Sequence, residues 1–302
     1  MESSILSEVV LPLAIVIIMI AMGMSLTVAD FRRVLSQPRA VGVGLLCQLI
    51  LLPIIGIGVA LIFPLESVFA ISIILLAASP GGTTSNLVSH AAELDRALSV
   101  TLTAISNLLS WLSIPLLLTV AFRLFSDNSQ AIDFPVGSVM IQVAALTFVP
   151  VLIGMGIRAW RPQFAERTKN ASKIFSGLFL LLVIIALVIQ NWDTILVEGP
   201  RFALAFIVMN IVALAVGYIV AKLFGLGQTQ STTIGIETGL QNSTLSITIA
   251  LTILASNDMA IIPGLYGIWM LATGFAFAFY FNRNAVADGA TVDDEDVTPA
   301  LS

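Results

Sequence analysis

The sequence predicts an all-α polytopic membrane protein: nine transmembrane helices in two inverted repeats, with one helix of each repeat broken. Three observations carry this. Only 10% of the 302 residues are charged and 58% are hydrophobic, against about 25% charged in an ordinary soluble domain, so the chain cannot cover a water-facing surface. Apolar stretches of about 20 residues recur along it, each long enough to cross a hydrocarbon core of about 30 Å as a helix, and the short alternating strands of a membrane barrel are missing. Two of the stretches, "ASPGGTTSNLVS" at 78–89 and "GIETGLQNSTLS" at 235–246, carry polar and helix-breaking residues.

The apolar segments lie near 5–29, 38–62, 66–91, 95–124, 134–159, 171–191, 200–224, 228–255 and 259–282. The first follows Met1 and Glu2 with no basic region, so a cleaved signal peptide is not expected. Trp160 and Trp192 fall at span ends, where amphipathic rings favour the membrane interface. Residues 1–283 read as one transmembrane domain, and 284–302, with the acidic run "DDED", as a disordered cytoplasmic tail. With the N-terminus outside, eleven of the 13 basic residues fall on the cytoplasmic side, and only Arg123 and Arg201 face out. This bias orients the chain N-out and C-in. The net charge of −5 gives no nucleic-acid footprint, and the lone Cys47 excludes an internal disulfide. His90, the only histidine, sits at a span end and reads as solvated, which argues against a Ser–His hydrolase.

The third and eighth segments differ from the rest. Pro80, Gly81 and Gly82 cannot continue a comfortable helix, and four polar residues follow at once. A membrane tolerates broken backbone only where protein buries it or a polar cavity adjoins it. The two segments are five spans apart, an odd number, so they cross in opposite directions. Spans 1–4 and 6–9 then pair as inverted repeats, the arrangement of secondary transporters with discontinuous helices.

Glu237 is the acid placed well inside a span, with no Lys or Arg deep in any span. An ionised carboxylate there costs about 2.5–3.5 kcal/mol, to be offset by a bound cation, by a proton, or by hydrogen bonds to a neighbouring helix. Gln241, Asn242, Ser85 and Asn86 offer side-chain oxygens, and a break near Gly239 would free the carbonyls of Thr238 and Leu240. Hard oxygen donors with a single carboxylate suit a monovalent ion, of which sodium is the economical choice. In span 4, Ser99 and Thr103 share a helix face; Ser106, Asn107 and the lone Gln48 of span 2 read at this level as helix–helix hydrogen-bonding residues.

The motifs "SPGGTTSN" at 79–86 and "ETGLQNS" at 237–243, with the run 22–53, resemble the bile acid:sodium symporter family, a bacterial-type member, over nearly the whole chain to about residue 282. The resemblance implies core and panel domains and two sodium ions where the broken helices cross. One ion would use Ser85, Asn86, Ser99, Thr103 and Glu237. The other would use Gln48, Glu237, Gln241 and the backbone oxygens of Thr238 and Leu240. Thr83, Thr84, Asn242 and Ser243 would face the substrate. Two departures stand out: the chain lacks the extra N-terminal span of some bacterial members, and "PGLYGIWMLATG" at 263–274 is apolar where several relatives place polar cavity residues.

The expected function is therefore sodium-coupled symport of an organic anion, bile-acid-like or a small carboxylate or sulfonate, by a non-enzyme of the bacterial inner membrane. Its expected partners are the anion and membrane lipid, with a monomer as the expected form. A proton-coupled carrier using Glu237 is the alternative within transport. An intramembrane enzyme lacks a base beside the hydroxyls, and a sensor lacks a soluble output domain.

Overall fold

The computed structural model describes residues 10–126 and 135–287. Residues 284–287, expected to be disordered tail, continue the last helix, and 288–302 with the acidic run lie outside the described residues. A chain in lipid must satisfy its backbone polar groups internally, and the described residues do so as helices. These are α1 Leu11–Ser25, α2 Val28–Ser36, α3 Pro38–Leu46, α4 Leu52–Ile62, α5 Ser67–Ala78, α6 Thr83–Ala91, α7 Arg96–Phe125, α8 Val136–Leu146, α9 Phe148–Trp160, α10 Pro162–Gln190, α11 Trp192–Leu223, α12 Gln228–Gly239, α13 Ser243–Thr248 and α14 Asp258–Ala287. The all-α membrane fold class is thereby borne out. Five helical stretches among the described residues are long and apolar enough to cross a membrane: Pro38–Ile62, Arg96–Phe125, Val136–Trp160, Trp192–Leu223 and Asp258–Phe281. A sixth is added if α1 and α2, bent by 69°, act as one.

Helix starts and irregularities follow local chemistry. Asp95 caps α7 by accepting the Leu98 N–H at 2.9 Å. Pro38 and Pro162 occupy first turns, where a missing N–H costs nothing. A π-helical turn, Cys47–Leu51, precedes Pro53 and presents Gln48 inward; such bulges absorb the donor that proline removes. The sequence reading missed a further break at Thr147, between α8 and α9. Pro150 cannot donate to the Leu146 carbonyl, and the Thr147 hydroxyl turns back to the Val143 carbonyl at 2.8 Å. The helices α10 and α11 begin at Pro162 and Trp192, well before the apolar segments at 171 and 200, because hydropathy registers the apolar part of a helix and not its polar first turns.

The packing is inverted relative to a soluble protein. Leu178, Leu182, Ile185 and Ile189 of α10 are exposed along one face, whereas Ser72, Ser99, Thr103, Asn107, Asn210 and Glu237 are buried. In one region α1, α9 and α10 pack on each other; in the other, α4, α7, α11 and α14 surround the two broken helices, α5 with α6 and α12 with α13, and α13 also touches α1. Arg158 donates to the Met24 carbonyl at 2.9 Å and satisfies the C-terminal end of α1.

The α1–α9 crossing is close because both helices place glycine there. A Cβ at Gly154 would overlap the Ile20 carbonyl and lie 2.8 Å from the Gly23 Cα. Gly154→Val should therefore cost on the order of 1–3 kcal/mol by overpacking, read as a lower thermal unfolding midpoint in detergent. Gly156→Val, at a glycine with open space around its missing Cβ, should leave that midpoint near wild type.

Candidate functional site

The site begins with backbone that two helices leave unpaired. The chain leaves α5 at Ser79 in extended conformation and re-enters helix at Thr83; it leaves α12 at Leu240, also extended, and re-enters at Ser243. The two links meet. Gly81 and Gln241 form an antiparallel bridge, and the Asn242 N–H donates to the Pro80 carbonyl at 2.8 Å. Side chains satisfy further freed carbonyls: Gln48 Nε2 donates to Ser79 O (3.1 Å), Asn107 Nδ2 to Gly81 O (2.9 Å), Gln241 Nε2 to Thr238 O (2.7 Å) and Asn210 Nδ2 to Gly239 O (2.8 Å). The Tyr266 hydroxyl also donates to Gly239 O. Ser79 and Ser246 join the two breaks through their hydroxyls at 2.7 Å. Buried backbone groups need such partners, and side chains from neighbouring helices supply several of them here.

Glu237, 3% exposed, lies one turn before the second break. Ser99 donates to its Oε1, and Thr103 donates to Oε2 at 2.8 Å. Ser99 Oγ also lies 2.9 Å from Asn86 Oδ1. Gly81 shows where the oxygens converge. The point its Cβ would occupy lies 2.6 Å from Glu237 Oε2, 3.5 Å from Thr103 Oγ1 and 3.6 Å from Ser85 Oγ. Only glycine leaves that point open. The structure thus brings together Ser85, Asn86, Ser99, Thr103 and Glu237, from α6, α7 and α12, and among the described residues no ion pair reaches Glu237. This cradle of hydroxyl, amide and carboxylate oxygen fits a hard monovalent cation.

The second set is also gathered, but its donors are spent on one another. Gln48 Nε2 donates to Gln241 Oε1 at 2.9 Å, and Gln241 Nε2 holds Thr238 O. The unpaired acceptor is Gln48 Oε1, buried with no partner. The Leu240 side chain packs toward Gly274 of α14. A cation at these residues would have to displace the amide contacts that now hold Gln241 Oε1 and Thr238 O.

A cavity of about 240 Å³ adjoins the crossing. Thr83, Thr84, Gln241, Asn242 and Ser243 line it from the broken helices; Met19 and Met22 of α1, Ser176 of α10 and Met270 of α14 lie opposite. None of its lining residues is charged. The four residues assigned to substrate therefore share one cavity. Asn242 uses its side-chain oxygen to cap α13 at Leu245 N (3.0 Å), so its NH2 group is what remains for a ligand. The Ser243 hydroxyl is buried and unpartnered.

Three residues gain importance from the structure. Asn107, read from sequence as helix–helix glue, holds the Gly81 carbonyl at the first break. Asn210 and Tyr266 hold the second break, and neither was singled out in the sequence. The available signal was a lone amide in an apolar span, at Asn210, and a lone phenol in the run 263–274. His90 is exposed, as expected, and takes no part.

Comparison with known proteins follows the same lines. The model of the sodium bile acid symporter family matches residues 12–198. A probable sodium/metabolite cotransporter, chloroplastic, of Oryza sativa subsp. japonica is 27% identical over 92% of this chain and 64% of its own length. An uncharacterized sodium-dependent transporter of Bacillus subtilis (strain 168) is 28% identical over 88% of this chain and 81% of its own. The ileal sodium/bile acid cotransporter of Homo sapiens is 25% identical over 92% and 80%, respectively. The chain thus spans just under two thirds of the rice protein and about four fifths of the other two. By their names these relatives are sodium-linked transporters and not enzymes. Since the match covers more than half of its residues, the chain belongs to the sodium bile acid symporter family.

Proposed function

We propose that this protein is a sodium-coupled symporter of an organic anion in the bacterial plasma membrane. The observation that carries the reading is Glu237: a buried carboxylate without an ion pair among the described residues, set in an oxygen cradle where two broken helices bridge, beside an uncharged cavity. The sodium-linked names of the relatives support it. In this reading the nine apolar segments are nine crossings, N-terminus outside and C-terminus cytoplasmic, with spans 1–4 and 6–9 as inverted repeats. The helices α1, α8, α9 and α10 form the panel, and the helices around the breaks form the core.

Sodium held by Ser85, Asn86, Ser99, Thr103 and Glu237 supplies the positive charge that makes an ionised Glu237 tolerable in the membrane. A second sodium would use Gln48, Glu237, Gln241 and the carbonyls of Thr238 and Leu240 once the amide contacts to Gln241 Oε1 and Thr238 O are released. With the crossing ordered, Thr83, Thr84, Ser243 and the Asn242 NH2 group offer hydrogen-bond donors to the anion, and the apolar residues of α1, α10 and α14 receive its remainder. Recognition by neutral donors, with no Lys or Arg in the lining, lets the anion leave again when the panel and core move apart. Two sodium ions with one monovalent anion carry one net positive charge inward, worth about 2.3 kcal/mol per 100 mV.

A proton-coupled carrier is the second reading. The two hydroxyl contacts to Glu237 also suit a carboxyl group that takes up and releases a proton. Uptake into proteoliposomes at fixed pH, with sodium replaced by choline, separates them: the sodium reading requires transport to stop.

Three outcomes are expected. Glu237→Gln should abolish sodium-dependent uptake and the rise in thermal midpoint that sodium chloride gives over choline chloride, while the folded protein is retained; undiminished sodium-stimulated transport would refute the mechanism. Gly81→Ala places a methyl group against Glu237 Oε2 and should raise the half-effective sodium concentration at least about tenfold, roughly 1.4 kcal/mol. Asn242→Asp keeps the cap on α13 but replaces the NH2 donor with negative charge. It should cut anion uptake about tenfold or more while sodium stabilisation persists.

A further inference from the structure

The freed carbonyls at the second break are not equivalent. Thr238 O accepts from Gln241 Nε2, a residue within the crossing. Gly239 O is gripped from outside it, by Asn210 of α11 and Tyr266 of α14. Asn210 Nδ2 also lies 3.1 Å from the Tyr266 hydroxyl, so one amide, one phenol and one carbonyl form a closed triangle. All three residues are fully buried or nearly so. The Asn210 Oδ1 is left buried with no partner, an uncompensated desolvation that stability alone would not favour. Tyr266 packs edge-on against Phe206 of α11, ring centroids 6.1 Å apart, which holds the phenol in place independently of its hydroxyl.

The grip has a geometric consequence. Leu240, the next residue, is extended, with φ −111° and ψ 109°. The peptide carbonyls on either side of an extended residue point in opposite directions. Fixing Gly239 O toward α11 and α14 therefore directs Leu240 O to the opposite side. The same turn of α14 reaches the cavity: Gly267, beside Tyr266, faces Ser243, whose Oγ would lie 3.2 Å from a Cβ there, and Gly267 and Met270 line the cavity. One helical turn thus touches both the backbone behind the crossing and the wall in front of it.

We infer that Asn210 and Tyr266 are positioning residues that set sodium affinity by holding the Gly239 carbonyl away from the crossing, and that α14 transmits that setting to the anion cavity. The inference rests on the sodium reading of the crossing, and it assigns to two residues outside the cation set the task of orienting the carbonyls within it. Neither residue lines the cavity.

The test is a sodium titration of the purified full chain, with choline chloride holding ionic strength constant, read as thermal unfolding midpoint against sodium concentration. Tyr266→Phe removes the hydroxyl and keeps the ring packing. Asn210→Leu removes the amide and keeps the branched shape of the side chain. In either variant the sodium concentration giving half the stabilisation is expected to rise about tenfold or more. A merely structural role predicts a different pattern: a lower midpoint in choline chloride, with the half-effective sodium concentration unchanged. That result in either folded variant overturns the inference while leaving the sodium reading intact. Absence of any sodium stabilisation in the wild type overturns both. Should one variant fail to fold, the half-effective concentration of the other decides.

Discussion

Two interrupted helices can share a membrane interior only if each supplies what the other's break has lost, because no water is present there to satisfy freed N–H and C=O groups. In this protein the Gly81–Gln241 bridge and the Asn242 to Pro80 hydrogen bond make that exchange. The rest of the site depends on it. Gly81 must be glycine because the Glu237 carboxylate occupies the space beside it. Gln48, Asn107, Asn210 and Tyr266 must be polar because carbonyls remain that the bridge does not reach. The crossing is thus a small piece of sheet-like pairing enclosed by helices, held by side chains from α7, α11, α14 and the π-helical turn ahead of α4.

The same constraint explains why the polar residues are inside. Ser, Thr, Asn and Gln side chains concentrate at the breaks, and the lipid-facing surfaces of α10 and α11 are built from exposed Leu, Ile and Val. A single buried carboxylate in such a setting is expensive and marks a functional site. Its surroundings are donors and oxygens with no basic group, which suits an ion that arrives and departs.

Membership of the sodium bile acid symporter family places the chain beside relatives named for bile acid and for metabolite transport. The cavity beside the crossing has two kinds of wall. Its hydrogen-bonding residues come from the two broken helices, while its apolar wall comes from α1, α10 and α14. The polar and apolar walls of the cavity thus belong to different elements of the chain.

Much was legible in the sequence. Composition fixes the membrane class, hydropathy locates the apolar segments, and proline and glycine beside polar residues mark the two breaks at 78–89 and 235–246 and place Glu237 within the second stretch. These are one-dimensional properties, carried by residues close together in the chain. The links did become extended where expected, at Ser79 to Gly82 and just after Gly239. Tertiary structure alone decided the rest. Gln48 and Gln241 are 193 positions apart and hydrogen-bond to each other; Asn210 and Tyr266 are 56 apart and share one carbonyl. A lone Asn or Tyr in an apolar span carries no record of which freed carbonyl it will meet, because that carbonyl belongs to another helix and exists only after the helix breaks.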